Sequence, residues 1–137
     1  MANGFALELQ KGVRAALIAN SGVTSLVSTR VFDEPPQNPT FPFVRFDQIE
    51  PQADDTDGSI GADVILTIQA FSRSTGRVEA TQIAEAIRSA LHRKESSVAL
   101  SGFNLINMIC ESFYIDRQSN DRGHEATVVL KAMLQTA

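Results

Sequence analysis

Apolar positions recur along this chain at two spacings, and the two spacings divide it into elements. Between Phe5 and Ala19, residues Leu9, Val13, Ala16 and Leu17 share one face of a helical wheel, with Glu8, Lys11 and Arg14 away from it. Gly12 lowers the intrinsic stability of that helix, so packing must hold it. Val23 to Val27 predicts one further turn, with Ser21-Gly22 as the break between them. A second long helix is better patterned. Ala80, Ile83, Ala84, Ile87, Ala90 and Leu91 repeat at helical spacing, opposite Glu79, Gln82, Glu85, Arg88 and His92. The other spacing is two. Ala62, Val64, Leu66, Ile68 and Ala70 alternate with Asp63, Thr67 and Gln69, and Ala126, Val128, Leu130, Ala132 and Leu134 alternate with Glu125, Thr127, Lys131 and Gln135. Both read as strands with one packed and one wet face.

Three further strands are predicted with weaker patterns: a short edge strand at Arg30-Val31-Phe32, a strand from Phe43 to Ile49, and a long one from Asn104 to Arg117. On the long one, simple alternation puts Ile106, Met108, Cys110 and Tyr114 on one face and Leu105, Ile109, Phe113 and Ile115 on the other. Both faces are largely apolar. Either a second subunit covers part of the strand, or the monomer buries both faces.

The connections are equally readable. DEPPQNPTFP holds Pro35, Pro36, Pro39 and Pro42, and each proline fixes φ and removes a donor, so the segment is a stiff extended loop. A proline-rich recognition ligand is the sharper reading, but the segment lies between two strands and not in a tail. From Asp47 to Asp63 the chain carries six acidic residues and no basic one, which predicts a long solvated hairpin loop. SNDRG joins the last two strands as a turn. The order is helix, short strand, strand, strand, helix, strand, strand. It predicts an α+β fold, with two main helices on one face of a mostly antiparallel four- to five-stranded sheet. No linker or repeat interrupts residues 1–137, so a single domain is expected.

Composition narrows the function classes. The chain has 43% hydrophobic and 20% charged residues, an ordinary globular balance. Its net charge of −4 argues against tight wrapping by nucleic acid, which needs a basic stripe to displace counterions from phosphate. It is compatible with a protein that DNA merely passes. Cys110 is the only cysteine, so no intrachain disulfide can form. Glu8 inside the apolar N-terminal stretch, without a cleavage-site pattern, argues against a signal peptide. No apolar run approaches the roughly 20 residues that span a bilayer, so no membrane role is expected.

Candidate chemistry is sparse. FSRSTGRVEA runs from strand to turn to helix, the order of a phosphate-binding loop. Gly76, however, has no glycine four residues away and no Lys-Ser/Thr after it, so capping by Ser74 or Gly76, with Glu79 near the positive end of the helix dipole, explains the segment. QADDTDGSIGAD invites a calcium-loop reading. Placing Gly58 at the sixth position puts Ala53 first and Val64 twelfth, so the match fails at both ends. His92 closes the second helix, where a cation is favourable, and His124 follows Gly123. Together with Cys110 they form no zinc spacing. Cys110 lies among Ile106, Met108 and Ile109 and reads as a small buried hydrophobe. No nucleophile elbow is present. No enzyme, cofactor or metal site is expected.

The order of several local patterns goes further than any one of them. LELQKGVRAALIANSGVTSLVSTRVFDEPP, then FPFVRF, then FSRSTGRVEATQIAEAIRSALH, then DRQSNDRGHEATVVLKAML resembles the tail-terminator (tail-completion) proteins of long-tailed phages and gene transfer agents, over nearly the whole chain. The resemblance implies an α+β subunit of a homo-hexameric ring. Such a ring caps the tail tube protein, stops its polymerisation and meets the head-tail connector or stopper, while DNA passes through without specific binding. It implies a place in the tail-neck region of a virion or gene-transfer-agent particle, and it carries over no catalytic residue. On that reading Pro35, Pro36, Pro39, Ile106, Met108 and Tyr114 are candidate subunit contacts, and Asp54, Asp55 and Asp57 are candidates for the lumen or tube end. Rival readings are another neck component such as a head-completion adaptor, a small cytoplasmic enzyme or ligand-binding domain, and a peptide-binding module using the proline loop.

Overall fold

A computed structural model of the chain describes residues 4–53, 61–118 and 123–136. The first helix, α1, spans Phe5–Ile18 and buries Leu9, Val13, Ala16 and Leu17 as its periodicity requires. It also buries Gly12, and the reason is a close approach. A Cβ there would lie 2.8 Å from Ala99 O and 2.9 Å from Leu100 Cδ2 and Val98 Cγ1. α2 spans Ser21–Val27. The break before it falls at Asn20, not at Ser21-Gly22, because the Asn20 side chain accepts the Val23 N–H at 3.2 Å and caps the helix. α3 spans Val78–Leu91 and buries the six residues that its pattern singled out. A single 3-10 turn follows at Glu95–Ser97.

The strands are β1 (Val31–Phe32), β2 (Phe43–Ala53), β3 (Gly61–Ser72), β4 (Phe103–Arg117) and β5 (His124–Thr136). They form one sheet in the order β1-β2-β3-β5-β4. Three of the four pairings are antiparallel, but β1 lies parallel to β2, so the sheet is mixed. β2 runs four residues past Ile49 and takes in Pro51. That proline is tolerated because β1 stops at Phe32, opposite Arg45, so the later half of β2 pairs with β3 on one side and meets no strand among the described residues on the other.

α1 and α3 pack on the same side of the sheet, α1 toward β2 and α3 across β5 and β4. Between them Val64, Leu66 and Ile68 of β3 and Val128, Leu130 and Leu134 of β5 are fully enclosed. Each such side chain contributes about 1.5–3 kcal/mol of transfer free energy, so these two central strands anchor the fold.

β4 corrects the simple alternation. Its register with β5 slips between Leu105 and Asn107 and again between Cys110 and Ser112. Each β-bulge places an extra residue on β4 and reverses the facing of the residues after it. The core-facing set is therefore Phe103, Leu105, Met108, Cys110, Phe113 and Ile115. Ile106 and Tyr114 stay on the surface, 46% and 52% exposed. The two bulges account for much of the strand's apolar look on both faces.

Candidate functional site

No cluster of metal-ligating side chains occurs among the described residues, and no described helix is long and apolar enough to cross a membrane. An open groove of about 360 Å³ lies between α1 and residues 99–101. Its one buried charge is Glu8, which accepts the Ser101 N–H at 3.0 Å and pairs with Lys11 at 3.5 Å. That carboxylate ties the 98–101 segment to α1, so the groove is a structural seam. The features able to do work are surfaces, and they lie at the two ends of the sheet.

One end gathers the proline loop and the turn before α3. The Phe43 ring stacks on Phe71 at 5.0 Å between centroids and meets Phe41 edge-on at the same distance. Phe32 completes the group, 6.0 Å from Phe43. The Arg73 guanidinium lies over the Phe41 ring at 4.2 Å, a cation–π contact between turn and loop. Arg30 Nε donates to Pro42 O at 2.8 Å. Pro35 and Pro39 are half-buried and Pro36 is exposed, so aromatic packing pins the later part of this stiff loop while its tip reaches solvent.

The turn itself is held differently from the expected capping. Neither Ser74 nor Gly76 caps α3. The N-cap is Arg77, without a side-chain hydrogen bond. Instead Ser72, fully buried at the end of β3, donates its hydroxyl to Glu79 Oε1 at 2.7 Å and accepts the Ser74 N–H at 3.0 Å. The chain's own carboxylate thus occupies the first turn, where the helix dipole favours negative charge. Gly123 packs against the same corner. Its φ is +133°, and a Cβ would fall 1.9 Å from Ser72 O. Beside it His124 is buried, with no partner for Nδ1 among the described residues.

The opposite end is the outer edge of β4. The Met108 N–H donates to Glu95 Oε2 at 3.1 Å and the Cys110 N–H to His92 Nδ1 at 2.9 Å, while the Arg93 N–H donates to Met108 O at 2.8 Å. His92, at the end of α3, thus ties the helix end to the strand through its ring nitrogen. The segment after α3 guards the middle of the edge, and unguarded edges are what invite strand addition. Nothing in the sequence signals this guard, because HRKE reads as an ordinary charged helix end. Burial pushes the Cys110 thiol above its usual value, with Arg88 opposing the shift more weakly, so the thiol is held neutral and inert.

Among the residues singled out from sequence, Ile106 and Tyr114 reach the surface of β4 and the prolines line the loop at the other end of the sheet. Met108 does not qualify as a contact residue. The first bulge turns it into the core, where it is fully buried. Asp54, Asp55 and Asp57 lie outside the described residues.

Comparison with known proteins places the chain in a family. The model of a family described as tail completion protein gp17 matches residues 11–135. Among solved structures, a chain from the virion of a native gene transfer agent particle superposes with a TM-score of 0.88 at 21% identity, covering 98% of this chain and 99% of that one. No curated protein matches the sequence. The family match takes in α3, all but the last residue of the sheet and part of α1, and on it the chain belongs to the tail completion protein gp17 family, as a tail component of a phage or phage-like particle.

Proposed function

We propose that this protein assembles as a hexameric ring on the end of the tail tube, stops tube growth there and joins the tail to the head connector. The observation that carries the reading is the family match over residues 11–135. The likeness in fold to a chain of a gene-transfer-agent virion, over nearly the full length of both, supports it. In the ring, Ile106 and Tyr114 on β4 and the exposed tip of the proline loop around Pro36 contact neighbouring proteins. The role proposed is structural, and at two chemistry-bearing positions the side chains serve the fold: Ser72 donates to Glu79, and the Cys110 thiol is buried.

DNA passes through such a ring and must not stick. A net charge of −4 disfavours phosphate binding, and Asp54, Asp55 and Asp57 are proposed to face the channel or the tube end. The reading is tested by assembling tail tubes with and without the protein and imaging them. Rings at one end of tubes of limited length support it, whereas tubes that grow equally in both mixtures oppose it.

A further inference from the structure

The segment that guards β4 is held by polar groups alone. Residues 92–97 read HRKESS, with no apolar side chain among them, between the buried anchors Leu91 and Val98. Arg93, Lys94, Ser96 and Ser97 are exposed. Apolar burial, which stabilises the rest of the chain, therefore contributes little between those two anchors. Three hydrogen bonds hold the segment against the sheet instead. The Met108 N–H donates to Glu95 Oε2 at 3.1 Å, the Cys110 N–H to His92 Nδ1 at 2.9 Å, and the Arg93 N–H to Met108 O at 2.8 Å.

The pattern of those bonds is that of a strand. β4 is the last strand of the sheet, and Met108 and Cys110 stand two residues apart on its open side. Their donor, acceptor and donor are the groups that an added antiparallel strand would pair. One segment meets all three, two of them with side chains, so it stands in for a strand without being one. The backbone is strained at the same place. Arg93 follows the C-cap of α3 at φ +56°, in the left-handed region that favours glycine. Letting go of β4 frees Arg93 to leave that conformation.

We propose that residues 92–97 are a releasable strap. It comes away from β4 as a unit while the helices and the rest of the sheet stay folded, and it blocks strand addition at Met108 and Cys110 for as long as it is on. Openings smaller than global unfolding arise where few apolar contacts back up exposed backbone bonds, and the strap has none of its own between Leu91 and Val98.

Amide hydrogen exchange of the full chain in dilute urea, read residue by residue, tests it. The Arg93, Met108 and Cys110 amides should exchange together, roughly a hundredfold or more faster than those of Leu66 and Val128 on the central strands. Their rates should respond weakly to urea, because little surface is exposed when the strap lifts. Arg93→Gly should slow exchange at Met108 and Cys110 several-fold by relieving the strain. A variant carrying His92→Ala and Glu95→Ala should lose protection at those two amides while Leu66, Val128 and the circular dichroism match the parent. The proposal is overturned if the three amides exchange only along with Leu66 and Val128, or at unrelated rates. It is equally overturned if Arg93→Gly speeds their exchange, if the double variant keeps them protected, or if that variant loosens the central strands as well.

Discussion

Replacing Gly12 by alanine sets two effects of known size against each other. In an exposed helix interior the change gains about 0.8–1.0 kcal/mol, because alanine loses less backbone entropy than glycine. At this position the added methyl meets Ala99 O at 2.8 Å, with Leu100 Cδ2 and Val98 Cγ1 at 2.9 Å. The two side chains can rotate away, but the carbonyl belongs to a backbone segment that Glu8 fixes through the Ser101 N–H. Forcing a methyl into a packed seam costs roughly 1–3 kcal/mol, occasionally more. The overlap wins at most of that range, and the expected outcome is a net loss of about 1–2 kcal/mol, or about 3–6 °C in Tm for a chain of this length. Thermal and urea unfolding followed by circular dichroism measure it. Ala15→Gly, at an exposed position of the same helix, isolates propensity and should lose about 1 kcal/mol. A Gly12→Ala variant more stable than the parent would refute the reasoning, showing that segment 98–101 does not sit against α1 as described.

The same geometry sets other outcomes. Met108→Ala should cost about 2–5 kcal/mol in chemical denaturation, as large-to-small core changes do, whereas Tyr114→Ser should leave monomer stability within about 0.5 kcal/mol; equal losses would contradict the bulged register of β4. Gly123→Ala should prevent or severely impair folding, since a Cβ would overlap Ser72 O at positive φ, and a soluble variant with parental Tm would be incompatible with that corner. Burial raises the Cys110 thiol above the ordinary value of 9.0. Its contribution to stability is therefore intact below about pH 9 and is lost as pH climbs through the folded-state value. Cys110→Ala should flatten that alkaline decline in a pH series of unfolding curves, and slow labelling of the parent thiol by a maleimide at pH 7.5 should accompany it.

The main elements were legible because their periodicity and their packing agree. The α3 stripe from Ala80 to Leu91 and the alternations in β3 and β5 face one core, so local pattern and tertiary burial ask for the same residues. Legibility failed where the backbone departs from its ideal period. The two bulges in β4 leave no mark in composition, yet they turn Met108 inward and leave Tyr114 outside. The cap of α3 is hidden from the sequence for a related reason. Ser74 looks like a cap from its position, but the hydroxyl that matters belongs to Ser72, and Glu79 is reached only after the chain has turned. The sheet ends were the least legible part of the candidate site. The Arg73–Phe41 contact and the His92–Cys110 bond join residues far apart in sequence, and neither partner is unusual where it stands.

The central claim is that the protein terminates a tail tube as a ring. The direct measurement is electron microscopy of purified tail tubes incubated with the protein, scoring where it binds and how its density repeats. The account predicts a six-fold ring at one end of each tube and no density along the wall. Protein that remains monomeric and ignores tube ends, or that decorates the wall along its length, would contradict it.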